Sequence, residues 1–175
     1  VTKLYYENKF ATRKAKIYES NGEVWHRTGD VGYFDDQGRI WFCGRKAHMC
    51  NSGDETYYSV KVEYCFSGLA GINRVALAYI SLNGQKVLAL CIEPTQRFMS
   101  PTARRTIVTD IVQVARRYRI PLRVIAFHAR QFPVDKRHHA KIERHLLAKW
   151  VQDSLTRLRC NWAIYHVSMT NIAAR

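Results

Sequence analysis

Residues 25–45 read Trp25-His26-Arg27-Thr28-Gly29-Asp30-Val31-Gly32-Tyr33-Phe34-Asp35-Asp36-Gln37-Gly38-Arg39-Ile40-Trp41-Phe42-Cys43-Gly44-Arg45. The β-branched and aromatic residues that strands favour occupy 31–34 and 39–42, and the residues between these two runs are typical of a turn. The stretch therefore predicts a β-hairpin. Asp30 stands at its entrance and Arg45 at its exit, so one end can offer a hydrogen-bond acceptor and a cation to the same ligand.

This hairpin resembles a pair of motifs of the adenylate-forming superfamily, which contains acyl-CoA synthetases, luciferases and the adenylation domains of peptide synthetases. The pattern is Thr-Gly-Asp, Gly-Tyr, an Asp-x-x-Gly turn, an aromatic strand and Gly-Arg, all present here in order. The resemblance implies that Asp30 accepts hydrogen bonds from both ribose hydroxyls of ATP, which suits a carboxylate with two acceptor oxygens. It also implies that Arg45 contacts the same nucleotide. The alternative is that Asp30 caps a turn and Arg45 is solvated.

In the superfamily a hinge follows Gly-Arg and leads into a small C-terminal lid domain. Lys46 and Ala47 occupy the hinge positions here, whereas many relatives carry Asp or Lys in place of Ala47. We therefore predict that 1–45 are the end of a large N-terminal domain and that 46–150 form the lid. Residues 151–175 are a tail without an assigned structure, and three alternatives are open: it extends the last helix, it packs as an added strand, or it reflects a truncated or altered reading of the sequence. Because the chain starts at Val1, mid-pattern, we expect a fragment of something longer.

The pattern after the hinge predicts a compact α+β domain, a mixed β-sheet with flanking helices. The resemblance implies that this is the lid domain, preceded by the hairpin remnant of the large domain. Apolar spacing predicts a helix over 59–68. Two strands are expected on either side of Asn83-Gly84, which is a good hairpin signal. Ser100-Pro101 predicts the start of a second long helix, and a strand follows at 123–127. A terminal helix is expected to carry an apolar stripe of Ile142, Leu146 and Trp150.

A second motif reads Phe132-Pro133-Val134-Asp135-Lys136-Arg137-His138-His139-Ala140-Lys141-Ile142-Glu143-Arg144. A basic loop bounded by proline places Lys141 at the start of the terminal helix, where an ammonium group suits phosphate charge. In the superfamily this motif ends in Gly-Lys-Ile, and its lysine bridges the carboxylate substrate and the α-phosphate. Lys141 matches that lysine, and Ala140 replaces the glycine. Alanine at this place, like Gly-Arg-Lys-Ala-His after the hairpin, resembles the olefin β-lactone synthetase branch.

Metal binding is not predicted. His138 and His139 lie near His145, but no cysteine or carboxylate stands at a ligand-like spacing. The cysteines are five in number and scattered: Cys43, Cys50, Cys65, Cys91 and Cys160. Free thiols in a cytoplasmic protein are the simplest account of them.

The charge is strongly positive, with 28 Lys and Arg against 14 Asp and Glu and a net charge of +14. Such an excess favours anionic partners such as nucleic acid, acidic lipid or nucleotide phosphates. The charges are dispersed and no nucleic-acid fold signature accompanies them, so no specific nucleic-acid partner is predicted. No apolar run is long enough to form a transmembrane segment.

The resemblance implies an enzyme that uses ATP, with Mg²⁺, to activate a carboxylic acid as its acyl-adenylate. In the β-lactone branch the acid is a long-chain 3-hydroxy acid, which closes to a β-lactone and releases AMP. Two alternatives stay open: part of a fatty acyl-CoA ligase, or a non-catalytic basic binding module that keeps the lid fold. The superfamily's phosphate loop and acyl pocket belong to the large domain, so we expect this chain to be inactive alone.

Overall fold

The structure, a computed structural model, describes residues 2–136, 141–156 and 163–168. The chain divides after Ala47 into a first unit, residues 1–47, and a second unit, residues 48–175. Lys46 and Ala47 are therefore the last residues of the first unit, and they lie in a 3₁₀ turn (Lys46–His48). Their role as a hinge stays a prediction.

The first unit contains one short helix and two antiparallel hairpins. Its elements are α1 (Lys9–Ala15), β1 (Lys16–Tyr18), β2 (Val24–His26), β3 (Asp30–Phe34) and β4 (Ile40–Arg45). The sequence did not lead us to predict α1, which begins where the Asn8 side chain accepts the backbone N–H of Ala11. The β1–β2 turn contains the Asn-Gly pair, and Gly22 there has a φ of +85°.

The β3–β4 hairpin forms where the sequence predicts it. Its turn is closed by the Asp35 carboxylate, which accepts the backbone N–H groups of Gln37 and Arg39. A register shift lies between Val31 and Gly32. A Cβ on Gly32 would stand 2.8 Å from the carbonyl oxygen of Trp41, so the close approach of the two strands requires glycine here.

The second unit is built around one mixed four-stranded sheet. Its elements are β5 (Cys50–Ser52), β6 (Glu55–Tyr57), α2 (Ser59–Phe66), β7 (Ile72–Leu82), β8 (Gln85–Pro94), α3 (Pro101–Arg117), β9 (Leu122–Phe127), α4 (Arg144–Thr156) and β10 (Ile164–His166). The strand order is β10-β9-β8-β7, with β8 and β9 parallel and the other neighbours antiparallel. Helix α3 makes the crossover that a parallel pair needs. The fold class is the predicted one, α+β with helices flanking a mixed sheet.

Helices cover both faces of this sheet, and β8 is one of its two inner strands. Leu88, Leu90 and Ile92 of β8 face a cluster that contains residues of α2 and α3. The alternate β8 residues face a second cluster, in which α4 contributes Leu147 and Val151. Burial on both faces explains why β8 is apolar without interruption over 87–92.

Two expectations about the end of the chain need correction. The apolar stripe of the terminal helix is expected to contain Leu146, but Leu146 is 41% exposed and Leu147 is buried instead. Helix α4 begins at Arg144 and turns Leu147 and Val151, one helical turn apart, towards the sheet. The domain boundary expected at residue 150 falls inside α4, which continues to Thr156. Strand β10 pairs antiparallel with β9, so part of the tail is an added strand. No described helix is long and apolar enough to cross a membrane.

Candidate functional site

Asp30 and Arg45 face each other at the open end of the β3–β4 hairpin. Asp30 begins β3, Arg45 ends β4, and the two are partners in the strand register. Arg45 Nε lies 3.1 Å from Asp30 Oδ1, with the two side chains 45% and 35% exposed. The pair is therefore formed within the hairpin itself and stays accessible to a ligand.

The loop before Asp30 is folded back onto this pair. Arg45 Nη1 donates to the carbonyl oxygen of Thr28 at 2.6 Å, and the Asp30 N–H donates to Thr28 Oγ1 at 3.2 Å. The Lys46 N–H donates to the carbonyl oxygen of Gly29 at 2.8 Å. Gly29 has a φ of +78°, which disfavours other residues. Each residue of the Thr-Gly-Asp motif therefore contributes to the shape of this loop: Thr28 and Asp30 through hydrogen bonds, and Gly29 through its positive φ.

A cleft of about 730 Å³ opens beside the pair within the first unit. Its polar and charged lining residues are Lys14, His26, Arg27, Thr28, Asp30 and Lys46, with Tyr5 at one wall. Carboxylate and hydroxyl groups suit a sugar, and the surrounding basic side chains suit phosphate. The residues present therefore fit a nucleotide.

Lys141 lies in the second unit, exposed, in a loop three residues before α4 rather than at the start of the helix itself. Its carbonyl oxygen accepts the N–H of Asp135 at 2.9 Å, and the Glu143 N–H donates to the carbonyl oxygen of Pro133 at 2.9 Å. Val134 and Ile142 form a bridge between these bonds. We name these two paired segments, 132–135 and 141–144, the lysine base, in the sense of the support from which Lys141 projects. His138, His139 and Ala140 lie outside the described residues.

Two carboxylates that sequence reasoning missed contact the lysine base. Glu63 of α2 binds Arg144, with Arg144 Nη2 2.6 Å from Glu63 Oε2 and Arg144 Nε 3.0 Å from Glu63 Oε1. The buried Glu93 of β8 accepts the backbone N–H of Phe132 and pairs with Arg74. Burial by itself raises the pKa of Glu93, but the hydrogen bonds from Arg74, Phe132 N–H and Asn73 lower it below its ordinary value. No local pattern links Glu63 to a residue 81 positions away.

The described cysteines are free thiols, namely Cys43, Cys50, Cys65 and Cys91. Burial raises the pKa of Cys50 to about 11 and that of Cys91 to about 12, so neither is a reactive thiolate at neutral pH. Among the residues that the structure describes, no group of three or more His, Cys, Asp or Glu side chains is arranged to hold a metal ion.

Comparison with known proteins relates both units to one family. No protein-family model matches the chain. The chain is 38% identical over 159 residues to an olefin beta-lactone synthetase of Stenotrophomonas maltophilia, a match that covers 88% of this chain and 28% of the relative. The chain belongs to the adenylate-forming superfamily. It spans less than a third of the length of the curated relatives it matches.

A second curated relative agrees with this membership in the adenylate-forming superfamily, and a solved structure shares the fold. A long-chain-fatty-acid–CoA ligase of Mycobacterium tuberculosis is 31% identical over 123 residues, which are 70% of this chain and 23% of the relative. The solved structure of an anthranilate CoA ligase in complex with anthranoyl-AMP matches with a TM-score of 0.71 and 19% identity. That match covers 88% of this chain and 28% of the solved one, and it concerns the fold.

Proposed function

We propose that this chain is the nucleotide-binding hairpin and C-terminal lid of an ATP-dependent enzyme that activates a carboxylic acid. The proposed substrate is a long-chain 3-hydroxy acid, and the products are a β-lactone and AMP. The observation that carries the proposal is the 38% identity to an olefin beta-lactone synthetase over 88% of the chain. The proposed domains are 1–45 for the end of the large domain and 46 onward for the lid, hinged at Lys46 and Ala47.

Asp30 and Arg45 are the proposed nucleotide-binding residues. The carboxylate of Asp30 accepts hydrogen bonds from the two ribose hydroxyls, since two neighbouring acceptor oxygens match a vicinal diol. Arg45 orients that carboxylate through the contact at 3.1 Å and adds a positive charge beside the nucleotide. The adjoining cleft is lined by basic side chains, which include Lys14 and Lys46. These positive charges favour binding of a polyanion.

Lys141 is the proposed catalytic residue. Both reactants of adenylation are anionic, so a positioned cation lowers the barrier by electrostatic stabilisation and by holding them in line. Its ammonium group would bridge the substrate carboxylate and the α-phosphate. The exposed position of Lys141 is compatible with reaching a substrate. Mg²⁺ would accompany the triphosphate of ATP and neutralise part of its charge.

The chemistry has two steps. A carboxylate oxygen attacks the α-phosphorus, a new P–O bond forms, and pyrophosphate leaves with the electron pair of the bond that breaks. In the acyl-adenylate, the substrate's own 3-hydroxyl oxygen then attacks the acyl carbonyl. The hydroxyl proton is released, the C–O bond to AMP breaks, and a four-membered lactone results. A β-lactone therefore requires an acid with its hydroxyl group on carbon 3.

A fatty acyl-CoA ligase is the second candidate, and the 31% identity to a long-chain-fatty-acid–CoA ligase favours it. It shares the first step but uses an external thiol in the second. A non-catalytic basic module would retain neither step. The free thiols of the chain suit a reducing compartment, so we also propose a cytoplasmic location.

The test uses the protein that carries this chain, supplied with ATP, Mg²⁺ and a long-chain 3-hydroxy acid, with and without CoA. Acid-dependent pyrophosphate release, together with a CoA-independent lactone detected by mass spectrometry, is the expected result. A product formed only with CoA would favour the ligase. Absence of pyrophosphate exchange with any carboxylic acid would refute adenylation. The isolated chain is expected to show no turnover, because half a site cannot align both reactants.

A further inference from the structure

We propose that Glu63 is a positioning residue for Lys141 and that it acts through Arg144. The inference rests on the proposed function, in which the Lys141 ammonium acts on the reacting groups. Glu63 itself stands on α2 and makes its contact with the lysine base from there.

The ion pair fixes the place where the lysine base meets α4. Arg144 is the first residue of α4, and its guanidinium contacts both carboxylate oxygens of Glu63 in the two-pronged geometry that gives directional binding. Both side chains are largely shielded, at 16% and 13% exposure. Glu63 Oε1 also accepts the backbone N–H of Leu77 at 2.8 Å, which ties the carboxylate to β7. Arg144 is thereby anchored to the sheet.

Backbone hydrogen bonds connect the anchored Arg144 to the backbone of Lys141. The lysine carbonyl oxygen accepts from Asp135, and Glu143 donates to Pro133. The opposite segment is held independently, since the Phe132 N–H donates to Glu93. Because the Lys141 side chain is exposed, packing does not set its direction, and the backbone from which it projects has to be set by the lysine base.

The stability gained from a shielded ion pair is a weak reason for its presence, because desolvation offsets most of the attraction. A well-packed apolar pair in the same place would serve the fold as well. What an apolar pair would not supply is a directional contact at one defined residue of α4. The arrangement of Glu63, Arg144 and Leu77 N–H is thus better explained by placement of the lysine base than by stability.

The experiment is a double-mutant cycle between Glu63→Gln and Lys141→Ala, read as pyrophosphate exchange in the protein that carries this chain. Glutamine keeps an amide oxygen for the Leu77 N–H and removes the charge. We expect Glu63→Gln to slow exchange about 10- to 100-fold with little change in the KM for ATP, as misplacement of a catalytic group does. In the Lys141→Ala background, Glu63→Gln should lower pyrophosphate exchange by less than about a further twofold, since the two residues act as a unit.

Gln152→Ala is the matched control, because Gln152 also ties α4 to β7, by accepting the Ser81 N–H at 2.9 Å, but lies away from the lysine base. It should leave exchange within about twofold of the parent in both backgrounds. Unchanged exchange in Glu63→Gln, or an equal loss with and without Lys141, would overturn the positioning role. Pyrophosphate exchange that is unchanged in Lys141→Ala would instead refute the proposed function.

A second measurement does not depend on activity. In this chain, the amides of Asp135 and Glu143 should exchange their hydrogens about tenfold faster in Glu63→Gln and in Arg144→Lys, while the amide of Leu90 stays protected. Arg144→Lys keeps a cation and carries the test if Glu63→Gln does not fold. Unchanged hydrogen exchange at these two amides would overturn the proposal. Global unfolding of both variants would assign the ion pair to stability and would overturn it as well.

Discussion

Trp41 and Asp35 are joined across the turn of the β3–β4 hairpin, with the indole Nε1 donating to Asp35 Oδ2 at 2.7 Å. Arg39 Nε donates to the same oxygen at 2.7 Å, and two backbone N–H groups donate to Oδ1. The bond from Trp41 is the largest influence on the Asp35 carboxyl, and with the others it lowers the pKa from 3.8 to about 2. The turn of the hairpin is therefore closed by an ionised carboxylate.

The first prediction follows from that lowered pKa. Because Asp35 has a lower pKa in the folded chain than in the unfolded one, its contribution to hairpin stability is complete above about pH 4 and is lost as the pH falls through about 2. The Trp41 indole N–H resonance of the ¹⁵N-labelled chain should titrate with a midpoint near 2. Asp35→Asn is the control and should abolish that titration. A midpoint near 3.8 would contradict the geometry.

The second prediction concerns Asp30. In the protein that carries this chain, Asp30→Ala should raise the KM for ATP by about tenfold or more, because a charged hydrogen bond to the ribose is worth roughly 1.5–3 kcal/mol. The melting temperature should change little, since exposed ion pairs contribute about 0–1 kcal/mol. Asp36→Ala is the matched control, an exposed carboxylate in the turn of the same hairpin. Equal ATP kinetics in the two variants would remove Asp30 from the nucleotide site.

The third prediction concerns Lys141. Lys141→Ala should lower pyrophosphate exchange by about two orders of magnitude or more, as the loss of one preorganised charge does. Thermal unfolding should be nearly unchanged, because an exposed lysine contributes little to stability. Lys136→Ala, at another exposed lysine of the same motif, controls for the general loss of positive charge. Exchange within about threefold of the parent would argue against the catalytic assignment.

The fourth prediction compares two adjacent leucines of α4. Leu147 is fully buried against the sheet, whereas Leu146 is 41% exposed. Leu147→Ala should lower the free energy of unfolding by about 2–5 kcal/mol, and Leu146→Ala should cost well under half of that. Urea unfolding of the two variants, followed by circular dichroism, measures the difference. Similar losses would mean that α4 does not turn Leu147 towards the sheet.

Much of the fold follows from local sequence. Asn83 and Gly84 both have positive φ, at 52° and 78°, as the predicted two-residue turn between β7 and β8 requires. Ser100 caps α3 by accepting the Ala103 N–H, and Pro101 is its first residue. These features depend on backbone preferences and capping groups a few residues apart, so they can be read from the chain. The roles of Asp30, Arg45 and Lys141 come from motif resemblance and stay predictions.

The tertiary structure alone decided what supports the segment that carries Lys141, whereas the contact between Asp30 and Arg45 is local. The sequence placed Asp30 and Arg45 at the two ends of one hairpin, which is why the structure brings them together: hairpin register fixes both positions locally. Glu63 and Arg144 meet across 81 positions, and β10 reaches the edge of β9 from the tail. Such contacts depend on how helices and strands pack over a shared core, and no periodicity within a single segment encodes them. The sequence thus determined the motifs and most of the helices and strands, and packing determined which charges hold the lysine base.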